Sequence, residues 1–156
     1  AARQRIKGYI DAGVAEGAKL LLDGRSARVP ERSGGFWIGP TIFEGVEPHM
    51  TIAREEIFGP VVGLMRAQNL DEAIDRINAG DFANAASIYT TNGKSAREFR
   101  HRAAPGMIGV NIGVAAPMAM FPFGGAKSSL FGPLKAHGPQ AIDFYTSSKV
   151  SITRWF

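Results

Sequence analysis

Apolar residues recur every four positions at Ile6, Ile10 and Val14, a spacing that puts them on one face of a helix. Gly8 and Gly13 weaken that helix, and Gly17 is placed to end it. A short apolar run from Ala18 to Leu22 stops at the turn dipeptide Asp23-Gly24, and "GFWIGPTIFEGV" is extended chain punctuated by Gly39-Pro40. Strands are therefore expected at residues 20–22 and 37–43. From Pro60 the order becomes regular. "PVVGLMRA" has the continuous apolar run of a buried strand. "NLDEAIDRINAGD" follows, with Asn69 as cap, Glu72 three positions on, and Leu70, Ile74 and Ile77 on one face. "AASIYTT" is a strand, "KSAREFRHRA" a helix with Ala96, Phe99 and Ala103 aligned, and "GMIGVNIGV" a strand again. This β-α-β-α-β order predicts parallel strands with helices packed over them, because each crossover must return the chain to the same end of the sheet.

Beyond Val114 the patterning lapses into "AAPMAMFPFGGAKSSLFGPLKAHG", too long for an ordinary connector and therefore expected to be a functional or interface loop. A helical turn is expected near residues 139–144. The tail "FYTSSKVSITRWF" alternates, Val150 and Ile152 on one face and Ser151, Thr153 and Trp155 on the other, as a strand would. A strand at the end of a chain needs a partner or remains a bare edge.

Composition narrows the chemistry. At 156 residues, 45% hydrophobic and 21% charged, the chain has the make-up of one ordinary globular domain, which excludes disordered and collagen-like classes. No apolar run reaches the roughly 18 to 20 residues of a spanning helix, and the amino end lacks the apolar centre of a signal peptide. A soluble, non-secreted protein is the expectation. The chain opens without methionine on helical residues, as a processed or truncated polypeptide would. There is no cysteine, so disulfides, thiolate metal ligands and thiol nucleophiles are excluded for these residues. The net charge of +4 permits attraction to polyanions without specifying any.

Several motifs reduce to bland readings. Gly93-Lys94-Ser95 ends like a phosphate loop, but Ile88 stands where its first glycine is required, and no G-x-G-x-x-G follows a strand. His49, His101 and His137 are scattered without a second ligand at metal spacing. Arg97 and Arg100 lie opposite an apolar stripe, the place of an ordinary solvated face. Two stretches stay open. In "REEIFGPVV", Glu55 and Glu56 are either a surface pair at the start of a short helix or carboxylates aimed into a cleft, where they would accept hydrogen bonds from ribose hydroxyls. In "PFGGAKSS", Gly124-Gly125 forms either a tight turn or a close approach to a ligand walled by Phe123.

Together, "EEIFGPV" and the later "PFGG.K.S" resemble the late-sequence signature of the aldehyde dehydrogenase superfamily. "PMAMFPFGGAKSSLFG", "HGPQAIDFYT" and "KVSITRW" are similar to its acylating, coenzyme A-dependent branch, the methylmalonate-semialdehyde dehydrogenases. The resemblance runs from the Gly35 region to Phe156. It implies an α/β fold, a three-layer sandwich with a mainly parallel sheet of the aldehyde dehydrogenase catalytic-domain type. That sandwich would be incomplete here: residues 1–144 are the C-terminal part of the catalytic domain, and residues 145–156 an oligomerisation strand that pairs with a neighbouring subunit.

By the same resemblance Glu56 hydrogen-bonds the ribose next to nicotinamide, Phe58 lies beside the nicotinamide ring, and Phe123 is a wall of the aldehyde tunnel. NAD is the implied cofactor and coenzyme A the co-substrate. In the complete enzyme a cysteine thiolate attacks malonate or methylmalonate semialdehyde, the thiohemiacetal gives up hydride, and the thioester passes to coenzyme A with loss of carbon dioxide. The nucleophilic cysteine and the Rossmann-type domain are expected upstream of these residues, so the chain by itself should be inactive. No catalytic residue and no metal ligand is assigned to it. "GGAKSS" departs from the family pattern, with Ala126 where an aromatic is common. A homo-oligomer, dimer or tetramer, is implied, with no nucleic-acid or membrane partner, in the cytoplasm or, in a eukaryote, the mitochondrial matrix. The alternative is an assembly module derived from such an enzyme and lacking its activity.

Overall fold

The computed structural model describes residues 1–32 and 34–156. They form two compact units, residues 1–68 and 69–156.

The first unit opens with α1, Ala2–Ala15. Its end is a Schellman motif: Gly17, at φ +99°, donates its N–H to the Val14 carbonyl, and the Ala18 N–H donates to that of Gly13. Ile6 and Ile10 are buried as the four-residue spacing predicts. Val14 is not; Gly13 takes its place against the core, because a Cβ there would stand 2.9 Å from the Ile52 side chain and 3.1 Å from that of Phe43. The absence of a side chain lets the helix lie too close for position 14 to turn inward.

β1 (Lys19–Leu22), β2 (Thr41–Glu44) and β3 (Val61–Leu64) form one sheet, β1 antiparallel to β2 and β2 parallel to β3. The expected strand over residues 37–43 begins only at Thr41. Pro40 has no N–H to give a ladder, and Gly39 spends its own on the Gly24 carbonyl at 2.9 Å. Ile6, Ile10, Ala18, Phe43, Val46 and Met50 make the core, with Leu20, Ile57 and Val61 packed against it. Full burial of Ile10 and Phe43 stabilises the unit by roughly 1.5–3 kcal/mol each. The run "PVVGLMRA" is not buried on both faces. Val61 faces the core, whereas Val62 and Leu64, on the other side of the pleat, are exposed.

The second unit follows the expected alternation. α3 (Leu70–Ala79) starts at Asn69, whose Oδ1 accepts the Glu72 N–H at 2.9 Å, and buries Ile74. β5 (Ala85–Ile88) precedes α4 (Gly93–Arg102), whose N-terminal Lys94 and Ser95 amides are capped by Asn92 and whose Phe99 is buried. β6 (Met107–Val110) then pairs parallel with β5. β4 (Phe82–Ala83) pairs antiparallel with β7 (Ala126–Lys127), a two-residue ladder that ties the long loop back to the segment after α3 and that the sequence pattern did not announce. α5 spans Gln140–Tyr145, and among the described residues 146–156 joins no ladder. The parallel pairs thus fall in two separate ladders, β2-β3 and β5-β6, each flanked by antiparallel strands or none. Among the described residues no helix is long and apolar enough to cross a membrane.

Candidate cofactor and substrate site

The paired acids do not begin a helix; they end one. A short α2, Thr51–Arg54, precedes them, and Glu55 is its C-terminal cap residue with extended backbone at φ −112° and ψ 143°. The start of α2 has no cap from its own flank. Glu16, at the end of α1, supplies it: Oε2 accepts the Thr51 N–H at 2.8 Å and Oε1 the Thr51 hydroxyl at 2.5 Å. These two bonds hold the Glu16 carboxyl below its ordinary pKa, since they favour the charged form. The segment that follows α2 is thus launched from α1.

From Glu55 to Gly59 the odd positions are fastened to α1. The Tyr9 hydroxyl donates to Glu55 Oε2 at 2.7 Å, and Arg5 Nη1 donates to the Ile57 carbonyl at 2.7 Å. Ile57 packs against the core, and Gly59 rests on Ile6, where a Cβ would meet Cδ1 at 2.7 Å. The Arg5 guanidinium also lies 5.8 Å from the Tyr9 ring centroid, within cation–π range. The bond to a carboxylate raises the Tyr9 pKa, because ionising the hydroxyl would forfeit it and place two negative charges together.

The even positions point away. Glu56 is exposed and, among the described residues, its carboxylate has no hydrogen-bond partner. Phe58 is 81% exposed and takes φ +50°, a left-handed conformation that costs an L-residue roughly 1 kcal/mol. Pro60 then ties the segment to the sheet through its carbonyl, which accepts the Thr41 N–H at 2.8 Å. The two residues singled out from the sequence are therefore both exposed, an acceptor unpartnered among the described residues and, two positions on, an aromatic ring.

Phe123 lies in the second unit, partly exposed, its ring centroid 5.3 Å from that of His137. The loop around it is tied down by lysines: Lys135 Nζ donates to the Gly125 carbonyl, and Lys127 Nζ donates to the carbonyls of Asn78 and Gly80. The neighbouring Pro122 helps line an open apolar cleft of about 340 Å³ together with Met107, Ile108, Ile112, Val114 and Pro117. Glu56 and Phe58 are placed by the first unit and Phe123 by the second. Sequence reasoning missed Tyr9 and Arg5, whose only advance signal is their spacing of four on α1. It also missed the cleft residues, which read simply as strand and loop.

A mixed α/β chain with small parallel and antiparallel sheets is matched in known proteins. The sequence profile of the aldehyde dehydrogenase family fits residues 1–151, and the chain belongs to that family. A malonate-semialdehyde dehydrogenase of Halalkalibacterium halodurans is 48% identical over 153 residues, which cover 98% of this chain and 31% of that protein. The crystal structure of a methylmalonate-semialdehyde dehydrogenase from Oceanimonas doudoroffii superposes with a TM-score of 0.92 at 41% identity, covering 99% of this chain and 32% of that one. A Mycobacterium tuberculosis aldehyde dehydrogenase complexed with NAD+ gives 0.83 at 35% identity, over 94% of this chain and 29% of its own. The chain thus spans about a third of the length of the relatives it matches, and over that span the fold is that of the aldehyde dehydrogenases.

Proposed function

We propose that this chain is the C-terminal part of an NAD-dependent, coenzyme A-acylating dehydrogenase that oxidises malonate or methylmalonate semialdehyde to acetyl- or propanoyl-CoA with release of carbon dioxide. The names carried by its relatives support the substrate class, and one observation carries the site: in the segment at Glu55–Gly59, Glu56 and Phe58 are exposed while the Glu55 side chain and the Ile57 carbonyl are bonded to α1.

The residues fit the ribose-nicotinamide end of NAD. An ionised carboxylate offers only acceptor sites, which suits two neighbouring ribose hydroxyls, and Glu56 has no partner among the described residues to compete for it. The exposed Phe58 ring offers a flat apolar surface two residues further on. When bound, NAD supplies the acceptor for the hydride that leaves the aldehyde carbon. Glu56 fixes the ribose and so the distance over which that transfer occurs; it moves no proton itself. Phe58 keeps water from one side of the site, and Phe123 walls the aldehyde. These residues contain no cysteine, so the thiolate that this reaction needs is not among them.

The test is steady-state formation of NADH with malonate semialdehyde and coenzyme A in the full-length enzyme that this reading requires. Glu56→Gln removes the charge from the ribose contact, and kcat/KM for NAD should fall roughly 10- to 100-fold, the loss of one charge-assisted hydrogen bond. An unchanged value would remove Glu56 from the site.

The tail favours a companion reading. Val150, Ile152 and Trp155 are almost wholly exposed in an alternating segment without a ladder partner among the described residues. We assign residues 145–156 to pairing with a sheet of a neighbouring subunit in a homo-oligomer.

A further inference from the structure

We propose that Tyr9, backed by Arg5, is a positioning residue that decides which of the two adjacent glutamates meets the cofactor. The proposal rests on the reading of Glu56 as the ribose ligand and adds a cause for it. Glu55 and Glu56 are chemically identical and one peptide apart, so nothing in their own chemistry separates them. On extended backbone, successive side chains leave on opposite faces, and Glu55 has that backbone. Drawing Glu55 onto α1 therefore sends Glu56 the other way. The Tyr9 hydroxyl does the drawing, at 2.7 Å.

Arg5 makes the arrangement stiffer at two points. Its guanidinium donates to the Ile57 carbonyl at 2.7 Å and lies against the Tyr9 ring at 5.8 Å, so it holds both the segment and the residue that grips it. Directly after the held Ile57 carbonyl, Phe58 keeps its unfavourable positive φ, which a loosely held loop would relax. Freed of the hydroxyl, the segment can exchange Glu55 for Glu56 on the outward face and release Phe58. The expected consequence is a poorer grip on the ribose.

Tyr9→Phe tests this, since it keeps the ring that lies beside Arg5 and removes only the donor. In the full-length enzyme, NAD affinity measured by titration calorimetry should fall about 3- to 10-fold, with the melting temperature and the KM for the semialdehyde little changed. Glu55→Gln, which retains an acceptor oxygen, should be milder than Glu55→Ala. On a Glu56→Gln background Tyr9→Phe should cost nothing further. If Tyr9→Phe binds NAD as tightly as the parent while Glu56→Gln binds weakly, Tyr9 does not position the site and only this proposal falls. If the loss from Tyr9→Phe is the same with or without Glu56→Gln, Tyr9 acts elsewhere. If Glu56→Gln itself has no effect, the ribose reading falls and this proposal with it.

Discussion

At the scale of single residues, the candidate site is an alternation: three positions tied inward and two turned outward. Its inward contacts are tight enough to test one atom at a time. A Cβ on Gly59 would stand 2.7 Å from Ile6 Cδ1, with Cγ1 at 2.8 Å, so Gly59→Ala overfills the contact between the segment and α1. It should destabilise the protein by about 1–3 kcal/mol in chemical denaturation. An Ile6→Val background, which lacks the first clashing methyl, should recover part of that loss; no recovery would place the strain elsewhere. Glu56 and Phe58 could be named from sequence because the motif carries them. That their neighbour Glu55 is occupied by Tyr9 could not, since that contact joins residues brought together only by folding.

At the scale of elements, legibility followed the range of the interactions. α3 and α4 were readable because each carries its own local signal within ten residues: the Asn69 cap and Ile74 in α3, the stripe of Ala96 and Phe99 in α4, to which the structure adds the Asn92 cap. Asn69→Ala removes the acceptor for the Glu72 N–H and should cost about 1 kcal/mol, seen as a melting temperature lower by roughly 2–4 °C and faster amide exchange in the first turn of α3. An unaltered exchange rate there would mean that water caps the helix equally well. α2 was not readable in the same way. Its cap comes from Glu16, far off in sequence, and so the acids after it looked like the start of a helix when they close one. The two-residue ladder of β4 and β7 is too short for any period to show.

At the scale of the whole molecule, the exposed tail carries the prediction. Val150→Asp with Ile152→Asp places charges on the face proposed to pair with a neighbouring subunit. In the full-length protein this pair of substitutions should shift size-exclusion elution to a smaller species, and an unchanged oligomer would show that the tail is not the contact. The amino-acid sequence by itself determined the order of helices and strands in the second half, the Asn69 cap, the absence of any thiol and the family, through motifs whose residues are neighbours in the chain. Only tertiary structure decided that Gly13 rather than Val14 meets the core, that one face of β3 stays bare, and that Tyr9 holds Glu55 rather than Glu56. The reason is common to all three. Periodicity and capping act over a few residues, but which side of an element is covered depends on how closely distant backbones approach, and that distance is set by packing.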